Sequence, residues 1–315
     1  MENSDKLESP EGKIIDKSNW KIGRFITGGS YGRLHLGRNT KTGKEAAIKL
    51  EARSSPTPTL PLEFSFYKIL KQSKGVPKIY YFGKCDIWSA LVMDLLGPSL
   101  KDVFEKCDKF SIRTTTQLAI QLIGILEDFH GHRLVYRDTK PENFLLGPTG
   151  SDTYNVVHII DFGLCKEYKD ENTGQHIPMA TGKPWTGTVR YMSINNHMNR
   201  EQSRRDDLES MAYMLVFLHK GELPWQGIQV SDISERYRKI GEIKHRIKPS
   251  ELCAEMPEEY EKFVRLVRNL SFEEEPNYKA YINMFTKVLT KMGNNFNEKI
   301  YDWDRNHKLK PSNKK

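Results

Sequence analysis

Residues 134–147 read LVYRDTKPENFLLG and group an acid, a cation and an amide within six positions. Asp138 can take a proton from a hydroxyl group, and Lys140 can steady a phosphate. The side-chain carbonyl of Asn143 is an oxygen ligand of the kind that Mg²⁺ accepts. Tyr136 precedes the Arg-Asp pair, where its apolar ring and polar tip predict a packing and hydrogen-bonding role. The grouping predicts transfer of an anionic group to a hydroxyl acceptor.

Three further motifs carry residues that can bind phosphate or a metal ion: TGGSYG at 27–32, AAIK at 46–49 and IIDFGL at 159–164. Glycines let backbone N–H groups approach phosphate oxygens, and Lys49 can hold the α and β phosphates of ATP. Glu63, on a predicted helix, can fix Lys49, and Asp161 can bind the metal. Phosphoryl transfer depends on positioning and charge neutralisation, which these residues supply. The four motifs, in this order, are the signature set of a protein kinase.

Each of these residues has an ordinary structural explanation when it is taken alone. Lys49 could be a surface lysine on a strand, Asp161 could cap a turn, and Asn143 could serve a loop hydrogen bond. All of these explanations must hold together for the kinase interpretation to fail, which makes them the less favoured alternative.

The pattern of elements predicts an α+β, bilobal fold. Strands at KIGRFI, RLHLGRN, EAAIKLE, KIYYFG and SALVMDLL surround one helix over residues 62–72. A helix capped by Ser111 and a buried helix that ends at Gly221 dominate the second part. We expect a disordered segment at 1–18, a kinase domain at 19–303 and a basic tail at 304–315. Within the domain, the N-lobe covers about 19–93, the hinge about 94–100 and the C-lobe about 101–303.

The composition is that of a soluble globular protein, with 37% hydrophobic and 29% charged residues in 315. No apolar run is long enough to span a membrane, and the polar start lacks the apolar region of a secretory signal. The four cysteines form no CxxC pair, which predicts reduced thiols in the cytoplasm or, alternatively, the nucleus. The net charge of +8 comes without an aromatic-basic motif, so we expect no nucleic-acid partner. A monomer is a separate expectation, which the charge does not decide.

The phrases LVMDLLGPSL, HIIDFGLCKEY, TGTVRYMSIN, EQSRRDDLES and LPWQG resemble the casein kinase I family of Ser/Thr protein kinases over about residues 20–303. YRDTKPEN and ERYRKIGE look most like its gamma branch, and SIN at 193–195 stands where most kinases carry Ala-Pro-Glu. The resemblance implies Mg·ATP as cofactor and protein substrates with acidic or already phosphorylated Ser/Thr motifs. It also implies that Asp207 bonds the backbone of the catalytic loop.

The resemblance implies further site residues. Met93 is the expected gatekeeper, and the hinge begins at Asp94 and bonds adenine through the backbone at Leu96. The purine and phosphates are expected to contact Ile26, Gly29, Gly32, Leu34, Ala47, Leu145 and Ile160. One anion site for a substrate phosphate is expected at Arg137, Lys166 and Lys183, and a second at Arg190, Gly227 and Arg236.

Two departures from the family pattern predict altered behaviour. Thr27 occupies the position of the first glycine of the phosphate loop, where a positive φ would strain a β-branched residue and weaken ATP binding. MATG at 179–182 stands where the family more often carries a Tyr-Arg-Glu-Asn-like run, which predicts a change in substrate choice or in loop conformation. The alternative function is a phosphoprotein-binding scaffold, a pseudokinase with weak or no transfer.

Overall fold

The computed structural model describes residues 9–29, 32–293 and 300–307. The chain divides into two compact units. The first consists of residues 1–97 together with 160–163, and the second of residues 98–159 and 164–315.

The first unit is built on a five-stranded antiparallel sheet with strand order β1-β2-β3-β5-β4. β3 reads EAAIKLEA, and most of its positions are buried; it lies between β2 and β5 in the sheet. Among the described residues of this unit, the strands and the helix are β1 (Trp20–Gly29), β2 (Gly32–Asn39), β3 (Glu45–Ala52), α1 (Leu60–Ile69), β4 (Ile79–Cys85) and β5 (Trp88–Met93).

Helix α1 begins at Leu60 and ends at Ile69, rather than spanning residues 62–72 as predicted. Pro61 suits the first turn of a helix, where a missing N–H costs nothing. The carboxylate of Glu51 accepts hydrogen bonds from the backbone N–H groups of Thr59 and Leu60 at 2.8 and 3.0 Å. These bonds satisfy orphan donors at the start of the helix and tie it to the end of β3.

The prediction of disorder over residues 1–18 is wrong for residues 9–18. Ile15 is buried, and the backbone N–H of Gly12 donates to the carbonyl of Ile22, while the N–H of Ile22 donates to Lys13. The segment joins the sheet because its one buried isoleucine packs with Trp20 and Trp88. Residues 1–8 lie outside the described residues.

The second unit is mainly helical. Ser111 is the N-cap of α3, as predicted, and Gly221 ends α5 in the left-handed conformation. The predicted tail is wrong at its start, because residues 304–307 belong to a helix; residues 308–315 lie outside the described residues. Among the described helices, none is long and apolar enough to cross a membrane.

The helices are α2 (Leu100–Cys107), α3 (Ile112–Gly131), α4 (Ile194–His197), α5 (Arg204–Lys220), α6 (Ile233–Arg246), α7 (Pro249–Leu252), α8 (Glu258–Asn269), α9 (Tyr278–Lys291) and α10 (Asp302–His307). Four short strands form two ladders, in which β6 (Leu134–Val135) pairs with β9 (Lys166–Glu167) and β7 (Phe144–Leu145) pairs with β8 (His158–Ile159). One 3₁₀ turn covers Pro141–Asn143.

Candidate active site

A buried ion triad lies in the first unit. Nζ of Lys49 donates to Oε2 of Glu63 at 2.6 Å and to Oδ1 of Asp161 at 2.9 Å. Burial opposes the charge of Lys49, but the two carboxylates outweigh it and raise the pKa of the ammonium. Lys49 is therefore a fixed cation held by Glu63 of α1, the pairing that the sequence predicted, and by Asp161 of the Asp-Phe-Gly motif, a contact that was not predicted.

The same face of the sheet carries several of the residues expected to contact adenine. Lys49 lies opposite Leu34 on β2, and Ala47 lies opposite Met93 on β5. Residues two apart on a strand share a face, so these four side chains line one surface. Leu91, which is buried and opposite Lys49, belongs to the same surface and was not predicted.

Asp94, Ile26 and Leu96 were expected to contact the nucleotide as well. The carboxylate of Asp94 accepts a hydrogen bond from the backbone N–H of Lys78 at 2.9 Å and one from the hydroxyl of Tyr80. Its side chain therefore fastens the end of β5 to β4. Ile26 is exposed on β1, and Leu96 is half-buried in the chain after β5.

The phosphate loop differs from the expectation at Thr27. Thr27 lies in the ladder opposite Leu34 and is absent from the described non-glycine residues with positive φ. The strain predicted for this threonine is therefore not present. Gly32 has φ +128°, and a Cβ there would lie 2.3 Å from the carbonyl oxygen of Leu50, so only glycine fits. Gly29 pairs with Gly32 at the end of the ladder.

The catalytic loop lies in the second unit and centres on the carboxylate of Asp138. Oδ2 accepts hydrogen bonds from Nζ of Lys140 at 2.5 Å and Nδ2 of Asn143 at 3.1 Å, while Oδ1 accepts one from the hydroxyl of Thr188 at 2.9 Å. Because Nδ2 of Asn143 also donates to the backbone carbonyl of Asp138, the amide is held by its nitrogen. Its Oδ1 is left as the atom suited to a metal ion.

Asp207 of α5 fixes the backbone of this loop at its start. Its carboxylate accepts hydrogen bonds from the backbone N–H groups of Tyr136 and Arg137, both at 2.7 Å, and contacts Nε2 of His130 at 2.9 Å. This is the contact that the resemblance implied. The ring of Tyr136 is buried edge-on against Phe129, which is the packing role predicted for it.

The sequence matches the model of the protein kinase domain over residues 20–289. It is 44% identical to casein kinase I homolog 2 of Saccharomyces cerevisiae over 297 residues, 94% of this chain and 54% of that protein. Casein kinase I homolog 1 of the same yeast is 43% identical over 96% of this chain and 56% of its own length. This chain belongs to the casein kinase I family of protein kinases. Casein kinase I homolog 2 of Schizosaccharomyces pombe, at 44% identity, is covered to 65% of its length and matches 90% of this chain.

The chain thus spans about half the length of the two budding-yeast relatives. Membership in the protein kinase family implies ATP as phosphoryl donor, usually with Mg²⁺, and protein acceptors. The likeness to the gamma branch stays a prediction.

Two of the three cations in the first expected anion site of this casein kinase I member converge on one acid. Lys166 and Lys183 place Nζ at 2.8 and 3.1 Å from Oε2 of Glu201, which is buried. Burial works against the charge of Glu201, but the two lysines outweigh it and lower the pKa of the carboxyl. Arg137 donates instead to the carbonyl of Leu164 at 2.7 Å.

The MATG segment is tied to the same region. The backbone N–H of Glu201 donates to the carbonyl of Ala180 at 2.8 Å, and that of Lys183 donates to Asn199 at 2.9 Å. The role of Glu201 was not predicted, because nothing in the stretch EQSRRDD shows that this residue meets two lysines.

The members of the second expected anion site differ in exposure. The guanidinium of Arg190 is half-buried over the rings of Tyr191 and Phe217, at 5.9 and 5.1 Å from their centroids. Arg236 is exposed on α6, and Gly227 is an exposed glycine with φ +76°. Arg236 and Gly227 are therefore the solvent-facing members of the set.

Proposed function

We propose that this chain is a Ser/Thr protein kinase that transfers the γ-phosphoryl group of Mg·ATP to proteins and prefers acidic or already phosphorylated sites. The observation that carries the proposal is the triad in which Lys49 is held at once by Glu63 and Asp161. A buried lysine with two carboxylate partners is a preorganised cation for phosphate oxygens, whereas an isolated surface lysine would be mobile.

The donor sets fit ATP and magnesium. Lys49 would hold the α and β phosphates, and Leu34, Ala47 and Met93 would contact the base. Asp161 and Asn143 would supply oxygen ligands to Mg²⁺, which takes only one or two protein ligands beside water and phosphate. Mg²⁺ held by these oxygens would supply positive charge that offsets the negative charge of the phosphoryl group.

Asp138 has the contacts of a residue that orients an acceptor hydroxyl. The acceptor oxygen forms a bond to the γ phosphorus while the bond from that phosphorus to the bridging oxygen of ADP breaks. The hydroxyl proton passes to the carboxylate of Asp138, and Lys140, whose Nζ lies 2.5 Å from that carboxylate, would steady charge on the phosphoryl oxygens. Thr188 holds the other oxygen of the carboxylate and fixes its direction.

The preference for primed sites is supported by Lys166 and Lys183, whose side chains remain partly exposed. A phosphate three residues before the acceptor would find two ammonium groups already held side by side. Charge-assisted hydrogen bonds of this kind are roughly twice as strong as neutral ones. The second set, with Arg190, Gly227 and Arg236, is proposed to take another anionic group of the substrate. We further propose a cytoplasmic or nuclear monomer.

The test is transfer from Mg·ATP to two matched peptides, one with phosphoserine three residues before the acceptor and one with serine there. We expect faster transfer to the primed peptide and none with Asp161→Asn. Nucleotide binding without transfer to either peptide or to casein would favour the scaffold alternative.

The priming claim has its own variant. Lys183→Ala should lower kcat/KM for the primed peptide about tenfold or more, because a charged hydrogen bond is lost, and should leave the unprimed peptide nearly unchanged. Lys239→Ala is the matched control, since Lys239 has a similar exposed fraction, 43% against 42%, and pairs with Glu235 on α6. Equal ratios of primed to unprimed turnover in wild type and Lys183→Ala would refute the claim.

A further inference from the structure

Lys244 is a lysine of α6 whose side chain has no exposed surface, an uncommon place for an amine. Its Nζ donates to the backbone carbonyls of Val189 at 2.8 Å and Met192 at 2.7 Å. It also lies 3.2 Å from Nε2 of His197. The three donors of an ammonium group are thereby matched by three acceptors.

Two aromatic rings lie beside the buried amine of Lys244. Its Nζ lies 5.4 Å from the ring centroid of Tyr213 and 5.0 Å from that of Trp225, within the range of cation–π attraction. Burial holds the pKa of Lys244 well below its usual range; the charge of Glu209 acts in the opposite direction, and Arg268 adds to the lowering. The carbonyls and ring faces compensate part of the cost of burial.

The segment that Lys244 holds is in contact with the catalytic loop. Thr188, next to Val189, donates its hydroxyl hydrogen bond to Asp138 at 2.9 Å. Gly187 has φ +90°, and a Cβ at that position would lie 2.3 Å from the carbonyl oxygen of Arg137. A shift of this segment would therefore move the partner of the Asp138 carboxylate.

The residues after Met192 are held by acids of α5. The hydroxyl of Ser193 donates to Asp206 at 2.7 Å, and the backbone N–H of Ile194 donates to Glu209 at 2.9 Å. Both bonds fix the segment where SIN replaces Ala-Pro-Glu. Lys244 binds the two backbone carbonyls of Val189 and Met192, which lie between Thr188 and Ser193 in the sequence.

We propose that Lys244 is a positioning residue for the phosphoryl acceptor. By holding residues 188–192 through their carbonyls, it keeps Thr188 and Asp138 in the geometry that a substrate hydroxyl needs. The inference rests on the proposed kinase activity and deepens it, because it assigns Lys244 to the acceptor side of the reaction and not to ATP.

The experiment compares Lys244→Met with wild type and with Lys239→Met, which makes the same change on an exposed position of α6. We expect kcat/KM for the peptide to fall about 100-fold in Lys244→Met, as small displacements near reacting groups can cause. The KM for ATP and the rise in Tm on adding Mg·ATP should stay at wild-type values, and slow ATP hydrolysis without peptide should persist. Lys239→Met should match wild type throughout.

A purely structural role for Lys244 would lower peptide transfer, ATP affinity and ATP hydrolysis together, and that result would overturn the inference. Unchanged peptide transfer would overturn it as well. Failure of wild type to phosphorylate any peptide would instead refute the proposed kinase activity.

If Lys244→Met does not fold, Gly241→Ala tests the same idea with the amine retained. A Cβ at Gly241 would lie 2.8 Å from Cβ of His197, so the variant moves α6 relative to α4, the helix that contains His197. We expect the same selective loss of peptide transfer, at a smaller size. Loss of ATP affinity in equal measure would contradict the proposal here too.

Discussion

Replacing Asp207 by asparagine should both destabilise the second unit and stop catalysis. The carboxylate accepts hydrogen bonds from two backbone N–H groups, those of Tyr136 and Arg137, and contacts Nε2 of His130. Asparagine has one carbonyl oxygen, and its NH₂ group can only donate. In either orientation of the amide, at least one backbone N–H of the catalytic loop faces another donor.

The size of the effect follows from the burial of Asp207, whose exposed fraction is 1%. A hydrogen bond to a charged group contributes about 1.5–3 kcal/mol, and a buried donor without a partner costs about 1–3 kcal/mol. The remaining bonds become neutral and weaker. We therefore expect the free energy of unfolding to fall by about 3–5 kcal/mol, a large share of the roughly 5–15 kcal/mol of a typical domain.

Urea unfolding followed by tryptophan fluorescence would measure this loss, with phosphate transfer as a second readout. Asp170→Asn is the matched control, because Oδ1 of Asp170 accepts hydrogen bonds from the N–H groups of Asn172 and Thr173 at an exposed turn. A single carbonyl oxygen can replace it there, so little change is expected. A loss under about 1 kcal/mol in Asp207→Asn, or one equal to that of the control, would refute the reasoning.

Thr27→Gly should leave the KM for ATP within about twofold of wild type, because Thr27 is not strained and there is nothing to relieve. A tenfold fall in KM, about 1.4 kcal/mol, would show instead that this threonine impairs binding. Burial and the charge of Lys244 lower the pKa of His197 to about 3, below its usual 6.5. The neutral imidazole therefore contributes its full share to the free energy of unfolding above pH 6.5, and this contribution is lost as the pH falls towards 3. At about pH 5 the loss should be about 2 kcal/mol, and urea titrations of His197→Gln should show a shallower dependence on pH; equal slopes would contradict this.

The sequence predicted those site residues whose type and spacing are both required by the reaction. Lys49, Asp138, Asn143 and Asp161 are set by motifs, and strand periodicity places Lys49 on the face that carries Ala47 and Met93. The helix cap at Ser111 was predictable because its partner, the N–H of Thr114, is three residues away.

The parts that were missed depend on contacts between distant residues of ordinary type. Lys244 and Glu201 resemble surface charges in the sequence, because nothing local shows that one will face carbonyls 52 and 55 residues away or that the other will meet two lysines. Ile15 was hidden in the same way, since its polar neighbours suggested disorder while its partners Trp20 and Trp88 lie in the sheet.

The first unit is formed from two separate stretches of the chain, which affects its synthesis and the design of chimeras. Residues 160–163 belong to it, although the chain on both sides of them belongs to the second unit. They bring Asp161 to Lys49 and stack Phe162 against Tyr67, with ring centroids 4.3 Å apart. A nascent chain cannot complete this unit before residue 163 has left the ribosome. A chimera that exchanges residues 1–97 with a relative should therefore carry residues 160–163 from the same parent.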